Sequence, residues 1–207
     1  MIITKRADAI PFLATLDLDY DGLVEVVRYA DRERALCTSN DPAGFEFVVM
    51  NARAARGLRE RFCGELWKSD VTDNQAGICN PYRNIRVIHC NFDKYAGDMH
   101  AMPSNLTEKG TASRDKTRCN RTAWLPGLPM PEGDLSGYIT YVLGTHFDQE
   151  RGLRAELSRP IAFSSGRYIG FKPRVVLLTG SEGSSTGDKR WSPEPPTDII
   201  DIDIRRR

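Results

Sequence analysis

The chain reads as an α+β protein in which a helical N-terminal third packs on a mainly antiparallel β-sheet, a meander formed by the C-terminal half. Three observations predict this. Strand signals follow one another without interruption across 137–180, with short Gly/Ser turns between them. Apolar residues recur at helical spacing within 1–66. Between the two lies a long stretch, 93–136, rich in glycine and proline and without sustained periodicity.

In chain order, 1–4 predicts a short strand and 10–16 a second apolar segment. The next helical pattern runs through Cys37, with Leu23, Val26, Val27 and Ala30 on one face and Glu25, Arg28, Asp31 and Arg32 on the other. Asp21 is its expected N-cap. The run 39–44 breaks that helix, and 45–50 is either a strand or the start of the next one. A second helix is expected over 51–63, turning Ala52, Ala55, Leu58 and Phe62 inward and Arg53, Arg56, Glu60 and Arg61 outward, with Gly64 as its C-terminal cap. Turn residues dominate 69–83, and 84–92 is a strand by composition.

The meander is expected as short strands at 138–143, 153–157, 160–163, 167–171 and 174–178. A Gly/Ser-rich and then proline-rich connector follows. The chain ends at 198–207, where Ile200, Ile202 and Ile204 alternate with charged residues as in a strand with one buried face. One α+β domain spanning 1–207 is the expected organisation, with 1–66 helix-rich, 84–92 and 137–204 β-rich, and 93–136 a long irregular arm.

Among 207 residues, 29 basic and 28 acidic side chains nearly cancel, which removes a global electrostatic drive toward nucleic acid or an anionic membrane. The apolar run 9–16 contains Pro11 and ends at Asp17, too short and too soon acidic for a leader or a membrane span. The cysteines at 37, 63, 79, 90 and 119 are odd in number and form no C-x-x-C pair. They are expected as buried free thiols in a reducing compartment, either the cytoplasm or an intracellularly assembled particle. Asn105-Leu106-Thr107 and Asn120-Arg121-Thr122 match the glycosylation sequon, which carries little weight without a leader.

Asp17, Asp19 and Asp21, followed by Gly22, resemble the first half of the EF-hand calcium loop, in which alternate carboxylates converge on one hard cation. Arg28 stands where that family places its bidentate glutamate, so Glu25 completes the candidate metal set for Ca2+ or Mg2+. The same residues resemble the first motif of haloacid-dehalogenase-type phosphatases, a strand ending in D-x-D-G. That resemblance implies Asp19 as nucleophile and Asp21 as acid/base, with the strand 175–179 and Lys189 as later parts. The glycines after that strand also resemble a P-loop, but Asp188 separates Gly187 from Lys189 and no helix start follows. A flexible loop is expected there.

Of the histidines, His89 can be combined on paper with Cys90, His100 and Cys119 for zinc, or with His146 and Asp148 for acid/base work. Within the arm, Lys109, Arg114, Lys116, Arg118 and Arg121 stand close together before Trp124, the best local basic patch in the chain.

These features order three functions. The first is a non-enzymatic interaction or assembly protein without a cofactor, one subunit of a larger complex of virion-type or regulatory kind, with homo- or hetero-oligomeric protein partners and no membrane. The second is a nucleic-acid-binding protein using 109–124. The third is a divalent-metal-dependent phosphoester hydrolase using Asp19 and Asp21.

Overall fold

The computed structural model describes residues 1–122 and 137–180, the side chains of 121 and 122 excepted. It forms β1 (Ile2–Ile3), α1 (Arg6–Ala14), α2 (Tyr20–Arg34), α3 (Phe45–Phe62), β2 (Lys68–Asp70), β3 (Gly77–Asn80), β4 (Ile85–Asn91), α4 (Thr111–Thr122), β5 (Ile139–Asp148), β6 (Gly152–Ser164) and β7 (Arg167–Thr179). The α+β class holds, with four helices and a seven-stranded sheet among the described residues.

The sheet is mixed rather than purely antiparallel. Its order is β1-β7-β6-β5-β4-β3-β2. The expected meander is present as β5-β6-β7, but β4 lies parallel to β5 and β1 parallel to β7. Parallel neighbours require a crossover, and α4 supplies it between β4 and β5. The helices are therefore not all N-terminal: three lie within the first 62 residues and the fourth inside the supposed irregular arm.

Two apolar cores form, one on each face. Leu13, Leu23, Val26, Val27, Ala54 and Leu58 pack with Ile78, Val87, Leu143, Leu157 and Val175 on the face covered by α1 to α3. Ile88, Cys90, Phe92, Val142, Tyr168 and Phe171 form a smaller cluster on the opposite face. Alternation along each strand accounts for the split, since Val87 and His89 face α3 while Ile88 and Cys90 face away.

Several local expectations are corrected by this packing. Residues 10–14 belong to α1, whose Ala9 and Leu13 are buried, so no strand leads into Asp17. Asp19, not Asp21, caps α2, its side chain accepting from the Gly22 N–H at 2.9 Å. The third helix begins at Phe45 after Gly44, which takes φ 80°, and buries Ala54 and Ala55 while Ala52 faces solvent. Cys63 closes that helix in extended conformation, and Gly64 does not cap it.

Residues 69–83 contribute β2 and β3. Gly77 is required there, because a Cβ would stand 2.2 Å from the Val87 carbonyl oxygen. Five expected short strands merge into three longer ones, since β6 runs through Pro160 and β7 through Pro173. Register shifts around Pro160 absorb its missing N–H. The strand expected at 198–204 and the connector before it lie outside the described residues.

Both sequon asparagines are fully buried and serve the backbone. On α4, Asn120 donates to the carbonyls of Thr140 and Pro160 and accepts from the Thr140 N–H, all at 2.8 Å. It thus stitches β5 to β6 beyond the last ladder pair, Val142 with Ser158. Asn105 donates to Thr107 and Gly166 carbonyls and accepts from the Tyr168 N–H. Neither amide nitrogen has room for a sugar.

Candidate functional site

At the carboxyl ends of the parallel pair β4 and β5, the chain leaves a cleft of about 110 Å³. Arg34 from the end of α2, Phe47 and Met50 from α3, and Asn91, Thr145, His146 and Phe147 from the strand ends line it. Strand ends of this kind are where open α/β sheets place ligands, because the diverging connections leave a crevice there. The Arg34 guanidinium lies over the Phe147 ring, 3.8 Å from its centroid, and its Nε also donates to Asp31 at 2.7 Å. Asn91 Nδ2 donates to the Phe47 carbonyl at 2.9 Å, tying the strand end to the first turn of α3.

Beneath the cleft lies a three-residue relay. His89 Nδ1 stands 2.9 Å from Asn51 Oδ1, and His89 Nε2 stands 2.8 Å from Thr145 Oγ1. An amide oxygen can only accept, so Nδ1 carries the proton and the Nε2 lone pair accepts from the Thr145 hydroxyl. The ring is buried, and burial, reinforced by the nearby Lys109 charge, lowers its pKa to about 3.

That shift has a sign. The folded state holds His89 neutral while the unfolded chain binds its proton below about 6.5, so stability falls as pH drops from 6.5 toward 3. The slope is about 1.4 kcal/mol per pH unit for one such group. Asp17, Asp70, Asp98 and Asp148 all titrate below their ordinary 3.8, so the stability they add persists until more acid pH. The window from pH 6 to 4.5 therefore isolates the histidine. Urea midpoints of the wild type should decline across it, and those of His89→Gln should stay level; equal declines in both would remove His89 as the cause.

The acid/base grouping of His89 with His146 is not formed, because the two lie on opposite faces of the sheet. His146 Nδ1 donates to the Phe92 carbonyl at 2.9 Å, and its Nε2 lies 3.6 Å from Asp148, which is held by Arg154. The zinc grouping is not formed either. Among the described residues no three His, Cys, Asp or Glu side chains come together to hold a metal ion.

The acidic turn is instead braced by arginines. Asp17 accepts from Arg83 at 2.9 and 3.1 Å and from Asn80 at 3.0 Å, and the Arg83 bond leads the effects that lower its pKa. Asp19 pairs with Arg61 at 2.7 Å, Asp21 with Arg6 at 2.6 Å, and Glu25 with Arg61 at 3.3 Å. The four carboxylates point at three different guanidinium groups rather than at one focus. Both the calcium-loop and the D-x-D-G expectations need a shared focus, and the latter needs a strand where α1 stands.

The basic patch is likewise dispersed. Lys116 is 2% exposed and its ammonium pairs with Asp73, so it faces the protein rather than solvent. Arg114 pairs with Asp115 at 3.2 Å, Arg118 also has a partner, and the Lys109 charge acts on His89 and Cys90. The Arg121 side chain and Trp124 lie outside the described residues. All five cysteines are free; Cys90 and Cys119 are buried, and burial pushes the Cys90 thiol up to about 11.

The relay escaped the sequence reading because its members come from three segments joined only by register. Asn91 pairs with Thr145 across the parallel ladder, and α3 crosses above them. No helix of the described residues is long and apolar enough to cross a membrane. No family model, no curated protein and no solved structure matches this chain.

Proposed function

We propose that the chain acts as an interaction subunit of a larger assembly and docks a protein partner through the corner where α2 meets α3. The observation that carries this is an apolar surface around the cleft. Leu36 and Val48 are 72% and 60% exposed, and Phe45, Phe47 and Phe147 are each more than a third exposed. Phe47 and Phe147 line the cleft, Phe45 and Val48 flank Phe47 on the same helix, and Leu36 follows Arg34 by two residues. Grouped large apolar side chains beside an aromatic-stacked arginine have the composition of a recognition surface rather than of ordinary solvent-facing protein.

Strand addition is a poorer route to a partner. The outer strands among the described residues, β1 and β2, are two and three residues long, which offers little edge to pair with. The nucleic-acid and phosphoester readings draw no support from the way their residues are distributed.

Native mass spectrometry of the chain purified from its host, without chelator, tests the proposal. A complex is expected whose affinity falls at least about 30-fold when Phe45→Ser and Val48→Glu are combined. Ile169→Glu, an equally solvent-facing change at the other end of the sheet, should leave it intact. A monomer, or a complex indifferent to the corner, overturns the reading.

A further inference from the structure

We propose that Thr145 is an acyl acceptor: with His89 and Asn51 it forms a nucleophile, base and orienting group at the floor of the cleft, suited to small activated carboxylic esters. This goes beyond the docking role: its reacting groups are other residues, although Phe47 and Phe147 belong to both surfaces.

A hydroxyl is a weak nucleophile unless a base takes its proton, and the base must be held in the right tautomer by a third group. Thr145 Oγ1 is 2.8 Å from His89 Nε2, and Asn51 Oδ1, 2.9 Å from Nδ1, fixes the tautomer that leaves the Nε2 lone pair toward the hydroxyl. Thr145 is 1% exposed and belongs to the lining of the cleft, so an acyl group must enter the cleft fully to reach its hydroxyl. At about 110 Å³ the cleft is several times the roughly 30 Å³ share of a water molecule. It is far below the roughly 300 Å³ at which drug-sized pockets begin, so an acyl group of a few carbons is what fits. Phe47, Met50 and Phe147 supply an apolar wall for its alkyl end.

In the first step Thr145 Oγ1 forms a bond to the carbonyl carbon and its proton passes to His89 Nε2. Collapse of the tetrahedral adduct breaks the bond to the leaving oxygen, which takes that proton and departs as the alcohol. A water then attacks the acyl-threonine, again giving its proton to His89, and the proton is returned to Thr145 as the carboxylic acid leaves. No cofactor or oxidant is needed. Burial makes His89 a weak base, which confines the reaction to esters whose alcohol leaves readily.

The probe is p-nitrophenyl acetate with the full chain, followed by p-nitrophenolate release and by peptide mass mapping. An acetyl group is expected on Thr145, retained in Thr145→Ser and absent in Thr145→Val. His89→Gln should slow labelling about 100-fold, the usual worth of a positioned base. Asn51→Ala, which leaves the buried His89 Nδ1–H without its acceptor, should slow it about 10-fold by releasing the ring, in a variant shown by its urea midpoint to remain folded. Acetyl groups confined to lysines and the N-terminus, at equal rates in wild type and Asn51→Ala, overturn the proposal.

Discussion

Replacing Arg174 with methionine is expected to cost about 3 to 5 kcal/mol, the usual consequence of stranding a buried charge. Arg174 and Glu156 are both almost wholly inaccessible. Their bond is two-pronged, Nε to Oε1 at 3.0 Å and Nη2 to Oε2 at 2.6 Å. The remaining capacity is used locally: Glu156 also accepts from Ser158 Oγ and the Gly97 N–H, and Arg174 also donates to the carbonyls of Asp98 and Ala101. The pair thus fastens the loop after β4 to the two strands beneath it. Since whole-domain stability is commonly about 5–15 kcal/mol, one such change removes a large fraction. Glu156→Leu combined with Arg174→Met should be less damaging than Arg174→Met alone, because it leaves no charge behind. Urea midpoints of the three variants decide this, and a loss below about 1 kcal/mol for Arg174→Met would contradict the account.

A comparable loss, about 3 kcal/mol, is expected for Gly144→Ala, at the upper end of overpacking costs. A Cβ at that position falls 2.1, 2.2 and 2.6 Å from three ring atoms of Phe92. The ring cannot withdraw, since it is fully buried and lies against Phe171 with centroids 5.2 Å apart. The register explains the demand, because Gly144 pairs with Cys90 on the face opposite α1 to α3 and Phe92, two residues beyond Cys90, turns to that same face. Coupling follows: Gly144→Ala and Phe92→Ala together should cost clearly less than the sum of the two singly. Strict additivity in thermal or urea unfolding would show that the ring moves aside freely.

What the sequence made legible follows the strength of apolar periodicity. Leu23, Val26, Val27 and Ala30 are buried on α2 as their spacing requires, and Leu58 is buried on α3. The strands β5, β6 and β7 were visible through β-branched and aromatic runs, although prolines read as breaks proved to be irregular positions inside long strands. The crossover helix was hidden because Ser113, Lys116, Thr117 and Asn120 carry its inward face; the i, i+3, i+4, i+7 spacing is there, written in polar residues. Missing that helix also hid the parallel pairing, and with it the Asn51, His89 and Thr145 relay. The Asp17 to Glu25 cluster was visible as charge, but only the fold shows that Arg83, Arg61 and Arg6 share the four carboxylates between them.

The polar inward face of α4 has a thermodynamic consequence. A helix seated by apolar area would expose that area on detaching, and its equilibrium would bend with temperature through a large heat-capacity change. Seated by side-chain bonds of Asn120, Lys116 and Ser113 with Thr140, Asp73 and Gln75, α4 itself contributes mainly polar groups to the contact. Its attachment should therefore bend less with temperature than that of α1 to α3, because only the strand side of the contact, the cluster around Tyr168 that Ser113 reaches, is apolar.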